Sequence, residues 1–364
     1  MKRFYLLIFF SVLILSCGEN PFKDKYSAGS AQAVLEIGEA IQKGETVNQE
    51  VWDQLFNTSG YHKYLSTKRG DALSAMIKEA ILLAYSPDRS AEADSLMQIK
   101  PDATDYQTLM ARNIRTLASR QEEAERFMEE TDFPNLLAKA NRLVKKYLPK
   151  RAVKTDVDLN ELYLICTIPD ASVRDHSVLL DLNLAMDMSE EEIVRMLAHE
   201  FFHNYREATQ TDRPGDSFWR IFDCFENEGI ADLIDKGEHP EEMYARFGEA
   251  TEALYLDKYR NAPASLRALD SLLVIYQADP VDGEYAPAAD LLVFNGHPTG
   301  YYMTGMIREK GLEKELVQVF DSPAAFVALY NEAARQKNEK GEDEYILSQN
   351  LLDYLKTIEE NHNN

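Results

Sequence analysis

The stretch SEEEIVRMLAHEFFHNYREA, residues 189–208, decides how this chain folds. Ser189 with Glu192 three positions later forms a capping box, which marks the first turn of a helix. Apolar residues then occupy nearly every face of that helix: Ile193, Val194, Leu197, Ala198, Phe201, Phe202 and Tyr205. The pattern therefore predicts a helix that lies in the centre of the protein.

Three polar residues interrupt this apolar helix at a fixed spacing. His199 and His203 are four positions apart, so both imidazoles lie on one helix face and can reach one zinc ion. Glu200 lies beside them, where its carboxylate can reach a water on that metal. Burying this group without a partner would be costly, which argues against two unrelated surface histidines. The spacing predicts one zinc ion per chain.

A zinc site of this kind needs a third protein ligand. The segment FWRIFDCFENEGIADLID, residues 218–235, has an apolar helical stripe whose next two positions are Glu228 and Asp232. Carboxylates that continue a buried stripe normally coordinate a metal or pair with a charge. Both residues are therefore candidates for the metal site.

Other residues near this position are open as the third ligand. Asp223 and Glu226 belong to the same segment, but neither has an acidic partner four residues on within the stripe. Glu207 lies one turn beyond the second histidine, about 5 Å along the helix axis, which is awkward for a metal held between the two histidines. Cys224 lies one turn before Glu228. It is either a further candidate ligand or a buried thiol.

The order HEFFH and then NEGIAD resembles the gluzincins, the thermolysin-like and aminopeptidase-like metallopeptidases. In that family an Asn-Glu-x-x-x-Asp element follows HExxH by a couple of dozen residues, and Asn227, Glu228 and Asp232 match it. The resemblance implies that Glu228 is the third ligand and that Asp232 accepts a hydrogen bond from a ligand histidine. The residues after His203 lack the Gly-x-x-His extension of metzincins, which disfavours that class.

Downstream, FNGHPTGYYMTGMI, residues 294–307, combines a turn with the start of a helix. It looks like the Gly-Tyr-containing helix of predicted zinc-dependent peptidases among bacterial lipoproteins. Hydrolysis at zinc needs a donor to the tetrahedral oxyanion, and His297 or Tyr301 is expected to supply it. Alternatively, neither residue takes part in catalysis: His297 is then a loop residue, and Tyr301 belongs to the core.

The resemblance implies a zinc-dependent peptidase, in which Glu200 activates a zinc-bound water for attack on a peptide bond. Its substrate would be a peptide or a protein. Two other functions stay open: a zinc hydrolase that acts on something other than a peptide, and a non-catalytic envelope lipoprotein that keeps the fold. An intact Glu200 counts against the non-catalytic alternative, because a packing role requires no base at this position.

The rest of the chain predicts an α+β protein that is mostly helical. Residues 161–168 and 177–186 are rich in β-branched and aliphatic side chains, which is typical of strands, whereas helical stripes fill 29–155. We expect a zincin-like core with a small sheet packed on the HExxH helix, and strand 177–186 as the edge that aligns an extended peptide. The catalytic region is then 156–364, either separate from the helical region or continuous with it.

The amino terminus, MKRFYLLIFFSVLILSCGEN, has the form of a signal peptide. Two basic residues precede about a dozen apolar ones, too few to cross ~30 Å of hydrocarbon. The Leu-Ser-Cys order resembles the lipobox of bacterial lipoproteins, which implies a signal peptide over 1–16, lipid on Cys17 and a flexible tether over 17–28. A lipid-anchored place in the bacterial cell envelope follows, and Gly18 after the cysteine favours the outer membrane.

The composition limits the partners of the protein. Its 39 Lys and Arg against 62 Asp and Glu give a net charge of −23, which excludes binding of nucleic acid through a general basic surface. The membrane is expected as a partner only through lipid on Cys17, and the oligomeric state is not predicted. Cys166 and Cys224 would lie in an oxidising compartment, where one disulfide or two free thiols are both open.

Overall fold

The computed structural model describes residues 20–99, 105–154, 161–210, 212–237, 239–279 and 284–362. The predicted signal peptide and the predicted lipid site at Cys17 lie outside the described residues.

Helices make up most of the described chain. They are α1 (Gly29–Gln42), α2 (Gln49–Phe56), α3 (Ser59–Leu65), α4 (Gly70–Tyr85), α5 (Ser90–Met97), α6 (Tyr106–Ala118), α7 (Gln121–Glu130), α8 (Phe133–Val144), α9 (Lys150–Val153), α10 (Leu182–Met186), α11 (Glu190–Thr209), α12 (Ser217–Asp235), α13 (Glu249–Arg260), α14 (Ala262–Ala278), α15 (Ala286–Ala289), α16 (His297–Glu309), α17 (Glu313–Gln318), α18 (Pro323–Asn338) and α19 (Gln349–His362). Short 3-10 helices span Pro87–Arg89, Pro240–Phe247 and Val293–Gly296. The strands are β1 (Tyr26–Ser27), β2 (Glu161–Ile165), β3 (Ala171–Arg174) and β4 (Ser177–Asp181). This is the mostly helical α+β content expected from the sequence.

The four strands form one small mixed sheet in the order β1-β2-β4-β3. β1 and β4 each pair with β2 in parallel, and β3 pairs with β4 antiparallel. β4 is therefore an inner strand, and the expectation that 177–186 forms the edge is wrong. The edge strand that contacts α11, the HExxH helix, is β3. This strand was not predicted from the sequence.

The predicted strand 177–186 is also too long. The Asp181 side chain accepts a hydrogen bond from the backbone N–H of Leu184, so it caps a helix at the point where the strand ends. The aliphatic residues that follow belong to α10. A helix cap thus overrides the β propensity of this run.

The two predicted regions share one hydrophobic core. Buried apolar side chains from Phe22 to Leu355 form a single cluster. The Tyr61 hydroxyl of α3 donates to the backbone carbonyl of Cys166 at 2.8 Å, and the Asn113 amide of α6 donates to that of Thr167 at 2.8 Å. The amino-terminal helices therefore pack directly on the sheet.

Two aromatic residues within 20–28, the described part of the predicted tether, pack against the core. Phe22 is buried, and Tyr26 in β1 pairs with Leu162 of the sheet while its ring stacks on Phe133 with 4.4 Å between ring centroids. This part of the chain belongs to the core because its two aromatic rings bury apolar surface.

Two further findings concern the membrane and the cysteines. Within the described ranges, no helix combines the length and the apolarity that crossing a bilayer requires. Cys166 is buried and Cys224 is half-buried, and both are free thiols.

Two glycines bring α12 and α16 into backbone contact. A Cβ on Gly229 would lie 2.4 Å from the carbonyl oxygen of Gly300, and one on Gly300 would lie 2.4 Å from that of Phe225. The Thr304 hydroxyl of α16 donates to the Gly229 carbonyl at 2.9 Å and fixes the crossing. The first turn of α16 is thereby held against the second half of α12.

We expect Gly300→Ala to destabilise the protein, since the added methyl group forces the two helices apart and overpacking of this kind costs ~1–3 kcal/mol. Gly305→Ala on the same helix is the matched control, because no atom lies within 4 Å of a Cβ there. That change is expected to be neutral or to stabilise by up to ~1 kcal/mol. Urea denaturation of the metal-free proteins measures both effects, and equal midpoints for the two variants would contradict a tight crossing.

Candidate metal centre

Three donor atoms from two helices converge at one point. His199 and His203 extend from α11, and Glu228 extends from α12. Glu228 Oε2 lies 3.3 Å from Nε2 of His203 and 3.9 Å from Nε2 of His199, and the three ligand atoms lie within 4.8 Å of one another. One cation could contact all three, which is the set the sequence predicted.

The far ring nitrogen of each histidine has its own partner. Nδ1 of His199 lies 2.9 Å from Asp235 Oδ1, and Nδ1 of His203 lies 3.0 Å from Asn227 Oδ1. Because a carboxylate accepts, the proton of a neutral His199 lies on Nδ1, and its Nε2 lone pair is then available to a metal; an amide oxygen on Asn227 fixes His203 in the same way. Two imidazole nitrogens and one carboxylate oxygen fit the donor set that zinc prefers.

Asp232 has a different role from the expected one. Its Oδ1 is 3.7 Å from Nδ1 of His199, whereas its carboxylate oxygens are 2.9 and 3.0 Å from Nδ1 of His297. Asp232 also pairs with Lys236 one turn later. His199 donates its Nδ1 hydrogen bond to Asp235 instead, a residue to which the sequence pattern did not point.

The second oxygen of Glu228 is also held. The Asn295 side-chain amide donates to Glu228 Oε1, which leaves Oε2 directed at the histidines. Asn295 lies in a turn where Phe294, Asn295 and Gly296 have positive φ angles of 50°, 54° and 93°. This contact was not predicted from the sequence, although an Asn-Gly pair is typical of left-handed turns.

The structure separates the two candidate oxyanion donors. His297 begins α16, and its Nε2 lies 3.4 Å from Glu228 Oε2, so the ring faces the metal centre. The Tyr301 hydroxyl, one turn later, donates to the backbone carbonyls of Lys236 and Gly237 at 3.3 and 2.7 Å. Tyr301 thus secures the end of α12 and does not face the donors.

Lys236 is a buried cation among the acids of this site. Its Nζ pairs with Asp232 and lies 4.0 Å from Asp235 Oδ1 and 3.4 Å from Nδ1 of His297. Burial alone would lower the pKa of Lys236. The negative charges of Asp232 and Asp235 outweigh this effect and raise the pKa above its ordinary value, so the lysine stays protonated. A second group of donors, His199 with Asp232 and Asp235, also lies within 4.8 Å, but its carboxylates are engaged by this lysine and by histidines.

The centre attracts positive charge. Burial lowers the pKa of His199, but the charge and hydrogen bond of Asp235 outweigh it and raise the pKa to about 9. Burial raises the pKa of Glu228, but His297, His203 and His199 lower it well below its ordinary value. Protons and a metal compete for the imidazoles, so the same negative potential that holds protons favours a divalent cation.

Glu200 is the acid without a fixed partner. Only 8% of its surface is exposed, and no described residue donates a hydrogen bond to its carboxylate. It lines a cavity of about 110 Å³ together with His199, Asp235 and His297. A carboxylate that is buried, unpaired and next to the metal ligands is available as a base.

The alternative third ligands point elsewhere. Arg206 is buried and binds Asp223 Oδ1 at 2.8 Å and Glu226 Oε2 at 3.1 Å, so both acids are paired away from the histidines. Glu207 is exposed, and its Oε2 lies 3.9 Å from Nδ1 of His176, which is not one of the converging donors. Cys224 Sγ lies 3.9 Å from the Asn295 side-chain oxygen and is not among the converging donors.

The comparisons with known proteins agree with this geometry. The model of a family described as "Putative zinc dependent peptidase (DUF5700)" matches residues 52–339, which include every residue of the centre. Searches of curated proteins and of solved structures give no significant match. The family match confirms the resemblance to zinc-dependent peptidases noted in the sequence, and the chain belongs to the DUF5700 family.

Proposed function

We propose that this protein is a zinc-dependent peptidase of the gluzincin type, with zinc held by His199, His203 and Glu228. The observation that carries the proposal is the convergence of these three donors, each fixed from behind by its own hydrogen-bond partner. Such support from outside the ligand shell orients ligands and raises metal affinity.

Bound zinc supplies a Lewis acid that polarises a carbonyl and acidifies a water. Glu200 accepts a proton at its carboxylate from the attacking water and returns it to the leaving nitrogen. Its freedom from hydrogen-bond donors supports this role, since a carboxylate tied to a lysine or arginine would be a weaker base.

His297 donates a hydrogen bond to the oxyanion in this proposal. Asp232 holds Nδ1 of the ring, and the opposite nitrogen faces the metal centre. In its protonated form the imidazole donates Nε2–H to the developing negative charge. Lys236 pairs with Asp232 and holds its carboxylate in place, so the ring has one orientation.

The amino-terminal sequence supports a lipid-anchored place in the bacterial cell envelope, with Cys17 as the modified residue. Phe22 is already buried in the core, so only the four residues 18–21 lie between the lipid site and the folded protein. The five steps from one Cα to the next between Cys17 and Phe22 span at most ~18 Å. The catalytic protein would then lie close to the membrane surface.

We expect Glu200→Gln to keep one zinc per chain and to lower kcat/KM on a mixed peptide library by ~100-fold or more, because the amide cannot accept the proton. Glu207→Gln, an exposed change on the same helix, is the control and should leave both quantities unchanged. Metal analysis and peptide cleavage followed by mass spectrometry test this. Full turnover by Glu200→Gln, or no cleavage by the zinc-loaded wild type, would refute the proposed mechanism.

Asn295→Gly is expected to weaken zinc binding by ~10–100-fold, since Glu228 loses the donor that fixes its second oxygen. Glycine tolerates the positive φ at this position, so the melting temperature of the metal-free protein should change little. Competition with a chromophoric chelator measures the affinity. An unchanged zinc affinity would show that the amide does not position the ligand.

Cys17→Ala is expected to move the protein from the membrane fraction to the soluble fraction of bacterial cells, because one acylated residue is the proposed anchor. Fractionation followed by immunoblotting measures the distribution. A variant that stays with the membrane would contradict anchoring through Cys17.

A further inference from the structure

We propose that a basic surface behind the metal centre binds the anionic phospholipid headgroups of a membrane. The surface consists of six exposed cations: Arg142, Lys145, Lys146, Lys150, Lys154 and Lys314. The choice of partner rests on the lipid-anchored location given under the proposed function. The sequence alone predicted membrane attachment only through Cys17, and the basic surface adds a second contact.

The charge of the chain is distributed unevenly. Residues 133–154, which include α8 and α9, contain seven Lys and Arg and no Asp or Glu. All 62 acids of the chain therefore lie elsewhere, and the net charge of the whole chain is −23. A positive region in so acidic a chain favours a partner of negative charge.

Most of these seven cations are not neutralised inside the protein. Lys139 pairs with Glu190, and Arg151 pairs with Asp321. Within the described ranges, the other five cations of this stretch are exposed and have no ion-pair partner. Their charge is therefore available to a ligand from outside the fold.

The fold adds cations from another part of the chain. Lys146 lies beside a groove of about 370 Å³ whose lining also holds Arg308 of α16 and Lys314 of α17. Tyr147 and one acid, Glu313, complete the polar part of the lining. Three cations against one acid leave the groove positive, so it attracts phosphate and other anionic groups.

The floor of this groove is apolar. Ile230 and Leu233 of α12 and Leu316 of α17 are buried there, and Val317 is half-buried beside them. Apolar groups of a ligand gain by leaving water against such a floor. A positive rim over an apolar floor matches a phospholipid, which joins a charged headgroup to hydrocarbon.

Helix α12 separates the groove from the metal centre. Successive helical residues turn by about 100°, so Glu228, Asp232 and Asp235 share one face of α12, whereas Ile230 and Leu233 lie on the opposite face. A ligand in the groove therefore does not block the zinc site. A membrane bound on this side would leave the metal centre directed away from it and open to substrates.

The position of the tether selects the membrane as the partner. The ring of Tyr26, close after the predicted lipid site, stacks on Phe133, where α8 begins. The 12 residues of α8 rise by ~18 Å, so the basic end of this helix lies about that far from the entry of the tether. Lipid on Cys17 would hold a phospholipid surface within reach of these cations.

The acids of the other faces do not cancel this attraction. At physiological ionic strength, exposed charges more than about 8 Å apart are largely screened. The energy of a membrane contact is therefore set by the charges of the face that makes it. On this face, each Lys or Arg close to an anionic membrane adds to binding.

The first test measures binding to vesicles without the lipid anchor. The chain from residue 18 onward, which contains the whole described core, is sedimented with phosphatidylcholine vesicles that either contain or lack anionic phosphatidylglycerol. We expect binding to the anionic vesicles alone at ~0.1 M salt, and its loss at ~1 M salt, where the Debye length falls to about 3 Å. Equal binding to both kinds of vesicle, or to neither, would overturn the proposal.

The second test removes cations from the basic surface. One variant combines three changes: Lys145→Gln, Lys146→Gln and Lys150→Gln. Its matched control removes the same charge at exposed lysines outside this surface: Lys43→Gln, Lys68→Gln and Lys340→Gln. Because each cation contributes ~5-fold, the first variant should bind anionic vesicles ~100-fold more weakly, and the control should bind like the wild type.

Lys314→Gln tests the groove separately, because this lysine comes from a different part of the chain. It should weaken vesicle binding by ~5-fold by itself. All of these changes replace exposed side chains, so the far-ultraviolet circular dichroism and the zinc content should stay as in the wild type. Equal vesicle binding by the triple variant and its control would show that net charge alone matters, and would overturn the basic surface.

The outcomes separate this inference from the proposed function. A wild type that ignores anionic vesicles overturns the basic surface and leaves both the zinc peptidase and the lipid anchor intact. Binding to immobilised polyglutamate but not to vesicles also overturns it, and identifies an acidic protein as the partner instead. Fractionation of Cys17→Ala at ~1 M salt reports on the lipid anchor alone, because the electrostatic contact is screened there.

Discussion

The backbone contact between α12 and α16 is the constraint on which the rest of the site depends. Gly229 and Gly300 leave no room for a side chain at the crossing, so the two helices have one possible separation. Glu228 immediately precedes the first glycine, and His297 lies three residues before the second. The crossing therefore brings Oε2 of Glu228, the proposed third metal ligand, to 3.4 Å from Nε2 of His297. Larger residues at either glycine would move the carboxylate and the histidine apart, and the donor set would no longer close around one point.

The second constraint is electrostatic. Glu200, Glu228 and Asp232 are buried around the centre, and the side chain of Asp235 is only 7% exposed. Among the described residues, the Lys or Arg side chain that pairs with these acids is Lys236. Burying so many carboxylates is costly unless further positive charge is present, and a divalent cation on the three proposed ligands would supply it. Two of these acids orient different histidines. Asp235 accepts a hydrogen bond from His199, a proposed metal ligand, and Asp232 accepts one from His297, the proposed oxyanion donor, so the two histidines are positioned independently.

Local signals explain what could be predicted from the sequence. The capping box and the helical spacing predicted α11 with both histidines, and the stripe with its family resemblance predicted Glu228. Spacing could not show that Asp235 rather than Asp232 supports His199, because the choice depends on how α12 is rotated against α11. The Asn295 contact joins residues 67 positions apart and exists only after α16 has packed. The aliphatic run after Asp181 has the composition of a strand, whereas in the folded chain the Asp181 side chain caps a helix that begins there.

Rigid and irregular elements carry different parts of the proposed chemistry. The metal ligands lie on two long helices whose separation is fixed, and precise geometry is what metal binding and proton transfer require. Part of the wall of the cavity beside Glu200 comes instead from the 3-10 helix Pro240–Phe247, which is followed by Gly248 with a φ of 102°. None of the residues in this 3-10 helix is a proposed metal ligand. Substitutions there can therefore reshape the cavity without moving the proposed zinc ligands.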